Sequence, residues 1–137
     1  MYFPTLVRDG KQRPIVAVTI MVTGSGPVLF DALVDTGADV SLFPQSVAKR
    51  LGITLSDQPD GAVFAAVGGQ CVYRRHDVEL ELRRPPELFH WRASVGFVER
   101  EMSYAILGTR GLFEFFDLFY SAHQQTLELI PVCELPN

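Results

Sequence analysis

The sequence predicts a single, mainly β domain with one or two short helices. Three observations support this prediction. Short apolar runs rich in β-branched residues are separated by turns that contain glycine and proline. Apolar and polar residues alternate over two longer stretches, and no linker or internal repeat divides the 137 residues. We therefore treat residues 1–137 as one domain, with a core at about 15–130.

The amino-terminal half contains a predicted hairpin, a third strand and a short helix. Ile15–Val22 and Val28–Val34 lack a helical period, and a glycine-rich turn joins them. Val40–Phe43 resumes a strand. Pro44–Leu51 is predicted to be a helix, because proline is favoured near a helix start and Gly52 is a natural stop.

The carboxy-terminal half is predicted to be almost entirely strands. From Ala62 the chain is β again, with Gly68-Gly69 at the tip of a hairpin. Apolar and polar residues alternate over Val78–Leu82 and Phe89–Phe97, which is typical of strands with one wet face. The remaining predicted elements are a strand that ends at Gly108, one or two helical turns over Gly111–Phe116, and a last hairpin made of Leu118–Tyr120 and Thr126–Ile130.

Composition and charge narrow the classes of function. Apolar residues make up 47% of the chain and the net charge is −4, which favours a globular protein without a surface for phosphate backbones. Cys71 and Cys133 match no zinc or redox spacing, so we expect two reduced thiols, with one disulfide as the alternative. Residues 1–10 lack an apolar signal core, and no apolar run reaches the roughly 20 residues of a membrane helix. We expect a soluble, cytoplasmic protein without a metal, cofactor, nucleic-acid partner or membrane.

The residues most suggestive of chemistry lie where the second predicted strand ends. Asp35 directly follows the apolar residues Ala32-Leu33-Val34 and is followed by Thr36 and Gly37. This arrangement places a carboxylate at a strand end, where the local dielectric is low. Gly37 permits a close backbone approach, and the hydroxyl of Thr36 can hold a loop by hydrogen bonding. Taken alone, however, Asp-Thr-Gly is weak evidence, and a simple turn between strands is the favoured interpretation.

The wider pattern resembles the retropepsin-like, or retroviral-type, aspartic proteases. In that family an apolar strand leads into Asp-Thr-Gly-Ala, as it does here at Asp35–Ala38. An apolar-apolar-Gly strand just before a short helix is a second hallmark, matched by Ile106-Leu107-Gly108. A glycine-rich hairpin called the flap is a third, matched by residues 65–70. The resemblance covers roughly Ile15–Ile130, and it implies a closed acid-protease β-barrel.

The resemblance implies a role for each matching residue. Asp35 corresponds to the catalytic aspartate, with Thr36, Gly37 and Ala38 supporting it. Residues that line the cleft or form the flap would bind the substrate, and these are Asp39, Val67, Gly68 and Gly69. Ala65-Ala66 replaces the glycine usual before the flap tip, so the first arm should be stiffer than in the family. No cofactor or metal is implied.

The chemistry of the family requires two carboxylates that face one water, whereas this chain contains a single Asp-Thr-Gly. The resemblance therefore implies a homodimer with Asp35 of each subunit at a twofold axis. One ionised carboxylate would take a proton from the attacking water while its protonated partner hydrogen-bonds to the peptide carbonyl. Two carboxylates about 3 Å apart cannot both ionise cheaply, so they share one proton, as is known of aspartic proteases in general. The expected substrate is an extended polypeptide.

Other interpretations remain open from the sequence alone. A catalytically silent retropepsin fold could serve as a peptide-binding or dimerisation module. The chain could also be a domain whose activity depends on further segments. By resemblance, the termini are expected to interleave in a sheet between subunits, which Tyr2-Phe3-Pro4 and Thr126–Ile130 would form. The aromatic residues of 113–120 fit either the core or an interface, and we favour the core.

Overall fold

The computed structural model describes residues 1–65 and 69–137, which contain twelve strands and one helix. The single helix, α1 (Gln45–Arg50), follows the sixth strand. The strands are β1 (Tyr2–Pro4), β2 (Leu6–Arg8), β3 (Lys11–Arg13), β4 (Ile15–Met21), β5 (Val28–Val34), β6 (Leu42–Pro44), β7 (Gly61–Ala65), β8 (Gly69–Arg84), β9 (Glu87–Val98), β10 (Ala105–Leu107), β11 (Phe116–Ser121) and β12 (Thr126–Pro131).

Six of these strands close into a barrel, as the resemblance implies. Hydrogen bonds link them in the order β4-β5-β10-β6-β9-β8, and β8 pairs back onto β4. β5 and β10 run parallel, as do β6 and β9, while the other neighbours are antiparallel. The ring therefore leaves none of its six strands as an edge. β7 pairs with the outer end of β8 and extends the sheet into a hairpin.

Alternation along the strands fills the barrel. In β4, Val16, Val18 and Ile20 are buried, and Ala17 between them is exposed. In β9, Trp91, Ala93, Val95 and Phe97 are likewise buried, which confirms the alternation predicted there. Each large apolar side chain removed from water contributes about 1.5–3 kcal/mol before the loss of chain entropy is counted.

One of the two predicted helical segments is a helix. In α1, Val47 and Ala48 are buried, and Gly52 follows the helix at a φ of 71°, a left-handed conformation suited to glycine at a helix end. The second segment, Gly111–Phe116, is a turn instead. Gly111 has a φ of 104°, outside the helical region, and β11 already begins at Phe116.

The two ends of the chain meet in a separate three-stranded sheet of order β1-β12-β11. Phe3, Leu127 and Leu129 face the core from this sheet. The amino group of Met1 donates to the carbonyl of Leu129 at 3.0 Å, and the amide of Leu129 donates back to Met1 at 3.0 Å. β12 is thus flanked on both sides by its own chain. Both terminal segments therefore lie in one sheet, and the pairing of that sheet with a second chain stays a prediction.

Three further observations complete the fold. β2 and β3 form a small hairpin over Asp9-Gly10, which the strand predictions omit. Cys71 and Cys133 are both free, in agreement with the expected thiols. No helix in the described ranges has the length and apolar character needed to cross a membrane.

Candidate active site

Asp35 lies immediately beyond β5, where the apolar strand opens into a loop. Its backbone amide donates to the carbonyl of Leu107 at 2.9 Å, which continues the parallel pairing of β5 with β10. Its side chain is half-buried, and Oδ1 accepts a hydrogen bond from the amide of Gly37 at 2.9 Å. The carboxylate is therefore held in one orientation by its own loop while one side stays open to solvent.

The loop that follows Asp35 is fastened to the loop that follows β10. The amide of Thr109 donates to the carbonyl of Ala38, and the amide of Arg110 donates to that of Asp39, both at 2.9 Å. Gly108 makes this approach possible, because a Cβ there would lie 2.5 Å from the Ala38 carbonyl oxygen. No side chain fits at that distance, so the Ile106-Leu107-Gly108 pattern has a direct steric reason.

Ser41 is the polar centre of the same junction and is fully buried. Its hydroxyl donates to the carbonyl of Arg110 at 2.7 Å and accepts from the amide of Gly108 at 3.0 Å. Its backbone carbonyl accepts from the amide of Gly96 in β9 at 2.8 Å. The buried Ser41 thus joins three chain segments, with its side chain bonded to Gly108 and Arg110 and its backbone bonded to Gly96.

Further hydrogen bonds hold the turn that follows Gly108. The indole Nε1 of Trp91 donates to the carbonyl of Gly111 at 2.8 Å in the core. The amides of Leu112 and Phe113 both donate to the carbonyl of Gly108 at 3.2 Å, which closes the turn before β11. The position of the Asp35 loop is therefore determined by the core of the same chain.

A cleft of about 620 Å³ opens above Asp35. Gly37, Ala38 and Asp39 line it beside the carboxylate. Most of the other lining residues are apolar, and they come from four parts of the fold: the end of the Asp35 loop, β6 with β10, the β7–β8 hairpin, and the end of β9 with the loop after it. They are Val40, Leu42, Ile106, Ala62, Val63, Cys71, Val98 and Met102, and the charged residues Arg100 and Glu101 complete the lining.

The predicted site residues divide into three groups. Asp35, Gly37, Ala38 and Asp39 share the cleft, as their common motif suggests. Thr36 is exposed on the outer side of the loop and is not part of the lining. Gly69 opens β8 opposite Ala65 with a φ of 74°, as expected of a residue near a hairpin tip. The other two flap residues, Val67 and Gly68, lie outside the described residues.

Sequence reasoning assigned no role to several residues of this site. Ser41 lies three residues after the Asp35–Ala38 motif. Its position as a polar residue within the predicted apolar strand Val40–Phe43 could have indicated a structural role. Met102 and the charged pair Arg100 and Glu101 precede β10 in a loop that carries no motif, so nothing in the sequence connects them with Asp35. Cys71 is half-buried in β8 and lines the cleft.

A second groove and possible metal ligands were the other features to consider as sites. A larger and more polar groove of about 800 Å³ lies between Val22, Ile53, His76 and Asn137, and it shares no described lining residue with the cleft at Asp35. Among residues 1–65 and 69–137, no three His, Cys, Asp or Glu side chains converge as metal ligands would. The described lining of the cleft at Asp35 offers carboxylates, the arginine Arg100, the thiol of Cys71 and otherwise mainly apolar contacts.

Nearly the whole chain is similar in structure to a protein whose fold is known. The chain is similar to a retropepsin-like aspartic protease from Rickettsia conorii, with a TM-score of 0.61 and 17% identity, over 95% of this chain and 97% of the other. EIAV protease in complex with the inhibitor HBY-793 matches with a TM-score of 0.48 and 20% identity, over 75% and 88% of the two chains. The retroviral protease-like domain of Ddi1 from Leishmania major gives 0.49 and 18%, over 88% and 98%.

Comparison of sequences agrees with the fold. No curated protein matches the chain. The family model for aspartyl proteases matches residues 18–109, which include both Asp35 and Gly108. These residues make up more than half of the 137. The chain belongs to the aspartyl protease family and has the retropepsin-like fold.

Proposed function

We propose that the chain is an aspartic endopeptidase that acts as a homodimer through Asp35 of both subunits. The observation that carries the proposal is the half-buried carboxylate of Asp35, which the Gly37 amide holds at the floor of an open cleft. A carboxylate fixed in this way can receive a proton from a water molecule without first reorganising. Membership of the aspartyl protease family supports the same chemistry.

A second chain is needed to complete the site. Besides Asp35, the acidic residues that line the cleft are Asp39, on the same loop, and Glu101. Both are exposed, and neither follows a strand as Asp35 does. Thr36 and Gly37 are also exposed in the single chain, so the outer side of the Asp35 loop is open to a second copy. A twofold axis at this loop would bring two equivalent carboxylates together.

The dimer would hydrolyse a peptide bond without a covalent intermediate. One Asp35 accepts a proton from water as the water oxygen attacks the peptide carbonyl carbon. The protonated Asp35 of the other subunit donates a hydrogen bond to the carbonyl oxygen and stabilises the tetrahedral species. The cleft would take the peptide in extended form, with apolar side chains against Ile106 and Val98. The β7–β8 hairpin would cover it as a flap.

The direct test is Asp35→Asn, assayed with a peptide library between pH 4 and 7 at concentrations where sedimentation shows a dimer. We expect the rate of hydrolysis to fall at least about 100-fold, because the variant removes the general base and acid together. Asp31→Asn is the matched control, since Asp31 lies in β5, the strand that leads to Asp35, but pairs with Arg8 and does not line the cleft. Equal cleavage by wild type and Asp35→Asn would refute an Asp35 mechanism.

Mixing the two proteins tests whether the site is shared. With Asp35→Asn in tenfold excess, most wild-type chains lie in mixed dimers that carry one aspartate, so activity should fall about tenfold. An active site contained within one chain would lose no activity. A dimer that binds peptides without cutting them would favour the silent binding module. A pH optimum above about 8 would contradict a pair of carboxylates that shares one proton.

A further inference from the structure

The sheet formed by β6, β9 and β8 is buried on both of its faces beside the cleft. On the inner face lie residues of the barrel core such as Phe97. On the outer face, Leu42, Tyr73 and Val98 are buried together in a second apolar cluster, which we call the wall cluster. The partly buried apolar residues that pack against it also line the cleft at Asp35. The wall of the cleft therefore has a core of its own.

Tyr73 is the member of the wall cluster that does not line the cleft. It is 7% exposed, whereas the described apolar residues packed with it, Leu42 and Val98 included, all belong to the lining. The ring thus lies behind the wall, on the side away from the open space of the cleft. Tyr73 shares its face of β8 with Cys71 and Asp77, because side chains alternate along a strand. Asp77 is exposed, so this face is buried beside the cleft and solvated farther along.

Two glycines make room for the ring of Tyr73. A Cβ on Gly61, its partner in β7, would meet the hydroxyl oxygen of the ring and lie 2.6 Å from its Cζ. A Cβ on Gly96 of β9 would lie 2.9 Å from Cδ2 of Tyr73 and 2.9 Å from Cδ2 of Leu42. Neither glycine has a positive φ, so space rather than backbone conformation accounts for glycine here. The ring fills the volume of two absent side chains and connects the β7–β8 hairpin with β9.

Hydrogen bonds hold the backbone on both sides of Tyr73 at the base of the hairpin. The amide of Asp60 donates to the carbonyl of Tyr73 at 2.9 Å, and the amide of Arg75 donates to Oδ2 of Asp60 at 2.7 Å. The guanidinium of Arg75 lies over the ring, with Cζ 5.9 Å from the ring centroid. The ring is therefore enclosed by the hairpin, by β9 and by Arg75. A different position of the ring would require one of them to move.

We propose that Tyr73 is a positioning residue that holds the β7–β8 hairpin over the cleft and sets the depth of the cleft. This inference rests on the proposed peptidase, and it names the residue that limits the size of the apolar peptide side chain accepted against Leu42 and Val98. Because protein interiors are close-packed, a smaller residue at position 73 leaves space behind the wall into which the wall can yield. Asp35 and its bond from Gly37 lie outside the wall cluster, so chemistry at the carboxylate should be unchanged.

Reactivity of the Cys71 thiol tests the positioning role without any need for activity. Cys71 lies two residues before Tyr73 on the same face of β8 and packs against the wall cluster. In a Cys133→Ser background, Tyr73→Leu should raise the rate of Cys71 labelling by N-ethylmaleimide at least about tenfold, because the hairpin is no longer held against β9. Tyr73→Phe keeps the ring and should be labelled at the wild-type rate.

A core variant distinguishes positioning from a general loss of stability. Phe97→Leu is the matched control, since it makes a similar change in a buried ring on the opposite face of the same sheet. It should lower the free energy of unfolding by an amount comparable to Tyr73→Leu, yet leave Cys71 labelling within about twofold of wild type. Equal labelling of wild type and Tyr73→Leu, or an equal rise in Tyr73→Leu and Phe97→Leu, refutes the positioning role.

A methyl group at Gly61 displaces the same ring from the hairpin side, and this variant decides if Tyr73→Leu does not fold. Gly61→Ala should raise Cys71 labelling at least about fivefold, because the added methyl group overlaps the ring of Tyr73. Gly26→Ala is the matched control, since a Cβ there meets nothing within 4 Å. Labelling of Gly61→Ala at the wild-type rate also refutes the positioning role.

Peptide selectivity separates this inference from the proposed function. With peptides that differ in the size of one apolar residue, Tyr73→Leu should shift the ratio of kcat/KM values toward the larger residue at least about tenfold, with the pH profile of wild type retained. A peptidase whose selectivity and labelling are unaffected by Tyr73→Leu keeps the proposed function and refutes this inference. Labelling that depends on Tyr73 without cleavage of any peptide keeps the positioning role and refutes the peptidase. A rise in labelling with unchanged selectivity, or a shifted pH profile, refutes the assignment of cleft depth to Tyr73.

Discussion

The floor of the cleft and the terminal sheet are stabilised in different ways. Around Asp35, buried hydrogen bonds from Ser41 and close backbone contacts at Gly108 fix the loop within one chain. The terminal sheet is fixed by Phe3 and the leucines of β12 on its inner face, and it leaves β11 as an edge. The catalytic candidate is therefore positioned by the monomer, whereas the terminal sheet keeps an unpaired edge within the described chain. Changes in the first region should affect folding, and changes at that edge should affect it very little.

Gly108→Ala should disrupt the floor of the cleft more than any other single substitution considered. A methyl group at this position would meet the carbonyl oxygens of Ala38 and Val40 at 2.5 and 2.8 Å, and both are backbone atoms that cannot rotate away. We expect a loss of about 3 kcal/mol in the free energy of unfolding, measured by urea denaturation. Gly26→Ala is the matched control, because a Cβ there meets nothing within 4 Å. A variant as stable as wild type would show that the loops are not held as closely as described.

Ser41→Ala removes the polar link without adding bulk. The amide of Gly108 then loses its buried acceptor, so unfolding free energy should fall by about 1–3 kcal/mol. Ser46→Ala on the exposed side of α1 should change it by less than about 0.5 kcal/mol. Hydrolysis measured where both variants are folded should also fall for Ser41→Ala alone, because the Asp35 loop is joined to Arg110 through this hydroxyl. Equal effects of the two substitutions would contradict the role given to Ser41.

Phe119→Thr tests the terminal sheet, where a substitution should change the stability of the single chain very little. Phe119 is mostly exposed and threonine suits a strand, so the unfolding free energy of the monomer should change by about 0.5 kcal/mol or less. Denaturation at concentrations below dimerisation is the measurement. Phe116→Thr in the same strand is the matched control, and it must lower the midpoint because Phe116 is buried against Trp91. A large loss for Phe119→Thr would make this ring part of the core.

The alternation of apolar and polar residues and the positions of turn residues predict many strands of the barrel. The hairpin of β4 and β5 lies within one residue of its predicted bounds, because alternation and turn residues act over short distances. The aromatic residues of 113–120 show the limit of that reasoning. Phe116 is buried as favoured, whereas Phe119 is 58% exposed and Tyr120 49% exposed. Composition alone did not distinguish them: Phe119 lies on the outer face, whereas Tyr120 shares the inner face with Leu127 and is exposed at the edge of the sheet.

The other differences have specific physical causes. Asp9-Gly10 has two positive φ angles of 52° and 71°, the signature of a tight hairpin, and the dipeptide was a usable signal that the strand predictions omitted. The helix expected at Gly111–Phe116 was wrong because the bond from Trp91 and a φ of 104° hold Gly111 outside the helical region. The wall formed by Val63 and Met102 required the tertiary fold, since these residues are distant in sequence.

Because β1 joins β12 of its own chain, each polypeptide can complete its hydrophobic interior alone. Folding and assembly are then separate events, unlike those of dimers whose subunits exchange strands. Under the proposed mechanism, proteolysis in a dilute solution would rise with the square of the polypeptide concentration. The specific activity per polypeptide would thus itself depend on how much of the polypeptide is present.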